Sequence, residues 1–176
     1  MNNNILKTET QDLHDRIEHV MQAHLLFSNQ FTQLHYQHFM LKSYRYIHAI
    51  LDKVNNTWPE FNEILEQKQQ ALREDLAHLH IHPDESASLA ITSTDRHYKL
   101  GLIYIVLGAM LGNKMILSKL KEYPAFEGFP FAYLTRHQDQ LSSIWKDFQS
   151  RINQLDTPAL QQVIQGARDG YLLFGE

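Results

Sequence analysis

The chain has 176 residues, a formal net charge of −4, 43% hydrophobic and 20% charged residues, and no cysteine. That length allows one domain with a substantial core and is hardly enough for two. The acidic balance argues against a general nucleic-acid binder, which needs a basic face, and the missing cysteines exclude disulfides, thiolate metal sites and a cysteine nucleophile.

Seven glycines and five prolines are few for a strand-rich domain, whereas Leu, Gln, Glu and Lys are plentiful, so the composition favours helix. The start, MNNNILKTETQ, lacks the apolar core of a signal peptide. The longest apolar run, residues 102–107 between Gly101 and Gly108, is too short to span a bilayer. The expectation is a cytoplasmic protein with no membrane or nucleic-acid partner.

The periodicity predicts about six main helices in one compact all-α domain over residues 1–176. The first covers residues 5–26, with Leu6, Leu13, Ile17, Val20 and Leu25 on one side, and Phe27-Ser28-Asn29 breaks it. A second runs over 31–54 and is ended by Asn55-Asn56-Thr57. Pro59 suits the first turn of a third, over 59–79, and a connection surrounds Pro83-Asp84-Glu85-Ser86. Thr94 or Asp95 caps a fourth, over 96–122, with Pro124 past its end. A fifth covers 131–155. Thr157 as cap and Pro158 in the first turn start the last, over 158–174.

Two stretches stand out. On a helix Thr10, His14 and Glu18 share one face, since residues four apart are neighbours. A carboxylate one turn from a histidine can take a hydrogen bond from one ring nitrogen and make the other a better metal ligand. Ordinary surface pairs of this kind are common and weak. The second stretch, Leu100 to Leu117, is the most apolar in the chain yet holds Gly101, Gly108 and Gly112. A helical glycine costs about 1 kcal/mol relative to alanine. Gly108 and Gly112, with Ala109 alongside, form a bare strip that suits either a helix packed at short range or a flat ligand against the backbone. Together the two stretches allow a planar iron porphyrin between a histidine ligand and a bare surface.

The same residues carry a resemblance. Leu6-Lys7-x-x-Thr10-x-x-Leu13-His14-x-x-x-Glu18 resembles the proximal helix of the biliverdin-producing heme oxygenases, and Gly108-Ala109-Met110-Leu111-Gly112 resembles their glycine-bearing distal helix. Ser150-Arg151-Ile152-Asn153-x-Leu155-Asp156-Thr157-Pro158, then Ala167-Arg168 and Tyr171, are similar to the family's last two helices. The resemblance implies a helical fold with heme, both cofactor and substrate, between those two helices. It implies cleavage by O2 and external electrons to biliverdin, CO and ferrous iron, with a ferredoxin-type or flavin reductase system as donor.

The resemblance also implies residue roles. His14 is the iron ligand and Glu18 its partner, with Thr10 beside them. Lys7 pairs with a heme propionate, with Lys146, Arg151 and, less well placed, Arg136 as further candidates. Gly108 and Gly112 form the distal wall, and Tyr171 lines the pocket. Two positions depart from the family. Ala109 stands where many members have the aspartate that organises proton-delivering water, and Asn113 stands where a glycine often follows. Ala109 keeps open one alternative, a heme-binding or sensing protein without turnover; the other is a cofactor-free helical interaction module in which His14 and Glu18 are a surface pair. His78, His80 and His82 alternate and share a face only in an extended chain, so solvation is their commoner use; the same holds for His35 and His38. Phe39, Tyr44, Trp145 and Phe148 read as core.

Overall fold

The structure, a computed structural model, describes residues 4–54, 57–86 and 88–176. Among them there is no strand. The chain forms a compact bundle of α1 (Ile5–Val20), α2 (Gln33–Val54), α3 (Pro59–His78), α4 (Arg96–Leu120), the single turn α5 (Ala132–Thr135), α6 (Leu141–Asn153) and α7 (Thr157–Gly175). The proposed stop at Asn55-Asn56 lies outside the described residues.

Helix starts follow the expected chemistry with small shifts. Asp95, not Thr94, caps α4, accepting from the backbone N–H groups of His97 (2.7 Å) and Tyr98 (3.0 Å). Asp156, not Thr157, caps α7 by accepting from Ala159 N–H at 2.9 Å, and Pro158 sits in the first turn. His35 Nδ1 accepts from Thr32 N–H at 3.0 Å just ahead of α2.

α4 is the centre of the fold. It packs on α7, α2, α5 and α6, while α1 lies on α7 and α3 on α2 and α5. Among the described residues α4 is the one helix that by length and apolar composition could cross a bilayer, contrary to the estimate from the uninterrupted run of 102–107. Gly101, Gly108 and Gly112, around that run, do not lower the average enough to disqualify the whole helix. Here its apolar length is the inner wall of the bundle, with residues 100–107 all buried. Gly101 and Gly166 make the α4–α7 crossing possible. A Cβ on Gly101 would overlap the Val163 carbonyl oxygen, and one on Gly166 would overlap that of Tyr98.

Two expected helices are broken. The first stops at Val20 because Gln22 adopts a left-handed backbone (φ 54°), and a 3-10 turn, Ala23–Phe27, follows. The Tyr123 hydroxyl pins that turn by donating to the carbonyls of Leu25 (3.2 Å) and Leu26 (2.8 Å). The turn buries Leu26 and leaves Phe27 56% exposed.

The expected helix over 131–155 is interrupted at His137 (φ 68°), and α5 is held at both ends by α3. Asp75 accepts from the N–H groups of Ala132 (2.7 Å) and Tyr133 (3.0 Å) and from the Tyr36 hydroxyl (3.0 Å). Lys68, fully buried, donates to the carbonyls of Tyr133 (2.8 Å) and Arg136 (2.9 Å). Two buried polar side chains thus stand in for the caps that so short a helix lacks.

Candidate functional site

A cavity of about 1180 Å³ opens between α1, the 3-10 turn, the C-terminal half of α4, and parts of α2, α6 and α7. Drug-sized ligands occupy pockets of about 300–1,000 Å³, so this space suits a large ligand. Its walls are mostly apolar and aromatic, with Phe39, Ile47, Tyr104, Trp145 and Phe148 among them. Phe27, Leu111 and Met115, all about half exposed, also line it. Phe148 is fully buried within a stack with Tyr104 and Trp145, so three aromatics read as core, Phe39, Trp145 and Phe148, also wall the cavity; Tyr44 does not.

α1 contributes Lys7, Thr10, His14, Asp15 and Glu18 to this cavity. The His14 side chain is 47% exposed, and its Nδ1 lies 3.8 Å from carboxylate oxygens of both Asp15 and Glu18. That is ion-pair range but beyond a hydrogen bond. The expected Glu18 contact is therefore not closed here, and Asp15, which the face argument omitted, competes for the same nitrogen. These three side chains place ligand atoms within 4.8 Å of one another. The His14 ring meets Tyr171 edge-on, with centroids 6.0 Å apart.

Thr10 is buried. Its hydroxyl donates back to the Leu6 carbonyl at 2.6 Å. The phenols of Tyr104 and Tyr171 face that hydroxyl, and burial raises both above the ordinary tyrosine value, Tyr171 well above it. Tyr104 was not singled out in the sequence, where it is one aromatic within an apolar run.

α4 contributes Gly108, Ala109, Leu111, Gly112, Asn113 and Met115. This bears on the packed use of the glycine strip. A Cβ on Gly108 would touch only the Tyr104 ring, at 3.9 Å, and one on Gly112 would meet nothing within 4 Å. Among the described residues no helix packs on this strip, and it faces the cavity. Asn113, beside it, is 1% exposed, and neither of its side-chain polar atoms has a partner.

No protein-family model and no curated protein matches the chain. The assignment of the cavity therefore rests on its own residues.

Three basic candidates fall outside it. Arg151 turns away to pair with Glu60 and to cover the ring of Trp58, with its guanidinium carbon 5.5 Å from the ring centroid. Arg136 pairs with Glu74 at 3.2 Å. Lys146 is exposed on α6 and does not line the cavity. All three were placed by their position in the sequence, and the helix faces point them elsewhere. Among the described lining residues Lys7 is the only lysine or arginine.

Arg168, in the C-terminal resemblance, makes a paired contact with both Asp12 carboxylate oxygens (3.0 and 3.1 Å) and reaches the Glu9 carbonyl, tying α7 to α1. The guanidinium holds the Asp12 carboxyl below its ordinary range. The His78, His80 and His82 set forms no ligand group among the described residues.

Proposed function

We propose that the cavity binds heme through His14 and that the protein cleaves it with O2 and external electrons to biliverdin, carbon monoxide and ferrous iron. One observation carries this reading: His14 and the uncovered Gly108–Gly112 strip line the same large apolar cavity. The residues suit the group. The volume takes a large planar ligand, a side chain at Gly112 would project into open space, and Lys7 offers a cation to a propionate.

Bound heme supplies the redox chemistry, as substrate and prosthetic group together. The chain supplies position. His14 offers a ring nitrogen to the iron, and the proton on the other nitrogen has Asp15 and Glu18 within a small side-chain movement. Tyr104, Tyr171 and the aromatic wall exclude water from the apolar part of the ring. Gly108 and Gly112 leave room for a small gas molecule. Electrons come from outside the site, by the family resemblance from a ferredoxin-type or flavin reductase system.

One observation favours a second reading, heme binding without turnover. The only carboxylates lining the cavity among the described residues, Asp15 and Glu18, are both on α1. α4 presents Ala109 where a proton-organising acid is expected.

The test is to load purified protein with hemin, add reductant in air, and follow absorbance, with His14→Ala alongside. Oxygenase activity gives a histidine-ligated spectrum that decays to biliverdin, and the variant does not form it. A stable ferrous-oxygen spectrum supports the carrier reading. No uptake of hemin refutes both and leaves a helical interaction module.

A further inference from the structure

Asn113 is the buried side chain of the α4 strip that can both give and take a hydrogen bond, and among the described residues nothing pairs with it. It is 1% exposed, and both Nδ2 and Oδ1 are without partners. Buried amides are nearly always satisfied, so an orphan of this kind calls for a partner that the chain does not supply. An apolar residue of similar size would avoid the cost, and the same helix uses Met110, Leu111 and Ile116 close by. The cavity that Asn113 lines supplies the missing partner. Gly112, the preceding residue, has open space where its Cβ would be, so a ligand can approach the backbone at this point. Asn113 also stands one helical turn beyond Ala109, on the same face. A second group in the cavity is similarly placed. Ser43 is buried, and its hydroxyl faces the Tyr133 phenol without completing a hydrogen bond.

We infer that the Asn113 carboxamide is the polar contact for the gas molecule on the α4 side of the bound heme, donating from Nδ2 directly or through one water to its outer oxygen. The inference rests on the heme reading. It makes Asn113 a positioning residue that takes over orientation from the acid missing at Ala109. An amide does not ionise, so Asn113 aims the gas molecule or its water but is not itself a proton source.

The test uses Asn113→Leu, similar in size, and Asn113→Ala, which removes the amide without adding bulk. Thermal unfolding is measured on hemin-free protein, and the C–O stretch on the reduced, hemin-loaded, CO-bound form. Loss of a hydrogen-bond donor moves that stretch to higher frequency. The expected result is an upward shift in both variants, with Asn113→Leu melting at or above the wild-type temperature. An unchanged stretch in hemin-loaded variants overturns the inference while leaving the heme reading intact. Melting of Asn113→Leu several degrees lower, together with an unchanged stretch in Asn113→Ala, shows that the amide serves the fold. Wild-type protein that takes up no hemin removes the heme reading and this inference with it.

Discussion

α4 contains two glycine sites that look alike in sequence and are opposites in space. At Gly101 the helix is pressed against α7 so closely that a methyl group would overlap the Val163 carbonyl. At Gly112, three turns later, the same methyl group would point into empty space. The first glycine serves helix packing, as small residues at crossings do. The second carries the helix-propensity penalty with no packing return. A glycine inside a helix is thus informative only when what covers it is known. The uncovered one faces the cavity.

This comparison can be broken most forcefully at the packed end. Gly101→Ala and Gly166→Ala must push apart two backbones, because the atoms they meet are carbonyl and amide groups rather than side-chain tips. Each is expected to lose about 3 kcal/mol or more, the upper range for overpacking, in urea unfolding. Near-wild-type stability in either would remove the packed half of the contrast.

A slightly smaller loss is expected where the cavity wall is held from outside. Asp75→Ala strips acceptors from two backbone N–H groups and the Tyr36 hydroxyl and should cost about 3 kcal/mol or less in the same assay. Lys68 gives this clamp a pH signature. Burial first, then the Arg136 charge, lowers its pKa from 10.5 to about 7. Between those values the unfolded chain binds more protons at this site than the folded one, so the Lys68 contribution makes stability rise with pH from about 7 towards 10.5. The window to read is about pH 7 to 9, before unfolded tyrosines ionise; there the thermal midpoint of wild type should gain on that of Lys68→Met as pH rises.

The smallest effects belong to the open end. Gly108→Ala and Gly112→Ala should each gain up to about 1 kcal/mol from helix propensity, since no neighbour resists the methyl group. His14→Ala should leave stability within about 0.5 kcal/mol, as half-exposed surface substitutions do. A large loss at any of these positions would mean that the cavity wall is a structural surface.

Much of the bundle was legible because its signals are local. Pro59, Asp95 and Pro158 mark helix starts, and the long apolar periods of α2, α3, α4 and α7 fall where the sequence places them. The broken helices were not legible because their causes are distant. Gln22 carries no turn signal, and the turn after it is pinned by Tyr123, about a hundred residues away. α5 is cut out of a continuous helical pattern by Asp75 and Lys68, which in sequence are two ordinary charges on α3. The cavity side chains divide in the same way. Helical spacing alone pairs His14 with Glu18 and Gly108 with Gly112, but that both pairs line one cavity is not in the spacing. Arg151 and Lys146 could not be placed, because their faces depend on how α6 sits on α4. Tyr104 joins the cavity only once α1 and α7 bring Thr10 and Tyr171 to it.

The most direct test of the central claim, that the bare half of α4 is kept open for heme, is a hemin titration of Gly112→Leu beside Gly112→Ala and wild type, with unfolding curves for all three. The account predicts equal folding of the three proteins, hemin uptake by wild type and Gly112→Ala, and loss of uptake in Gly112→Leu. Wild-type uptake by a folded Gly112→Leu protein would contradict it.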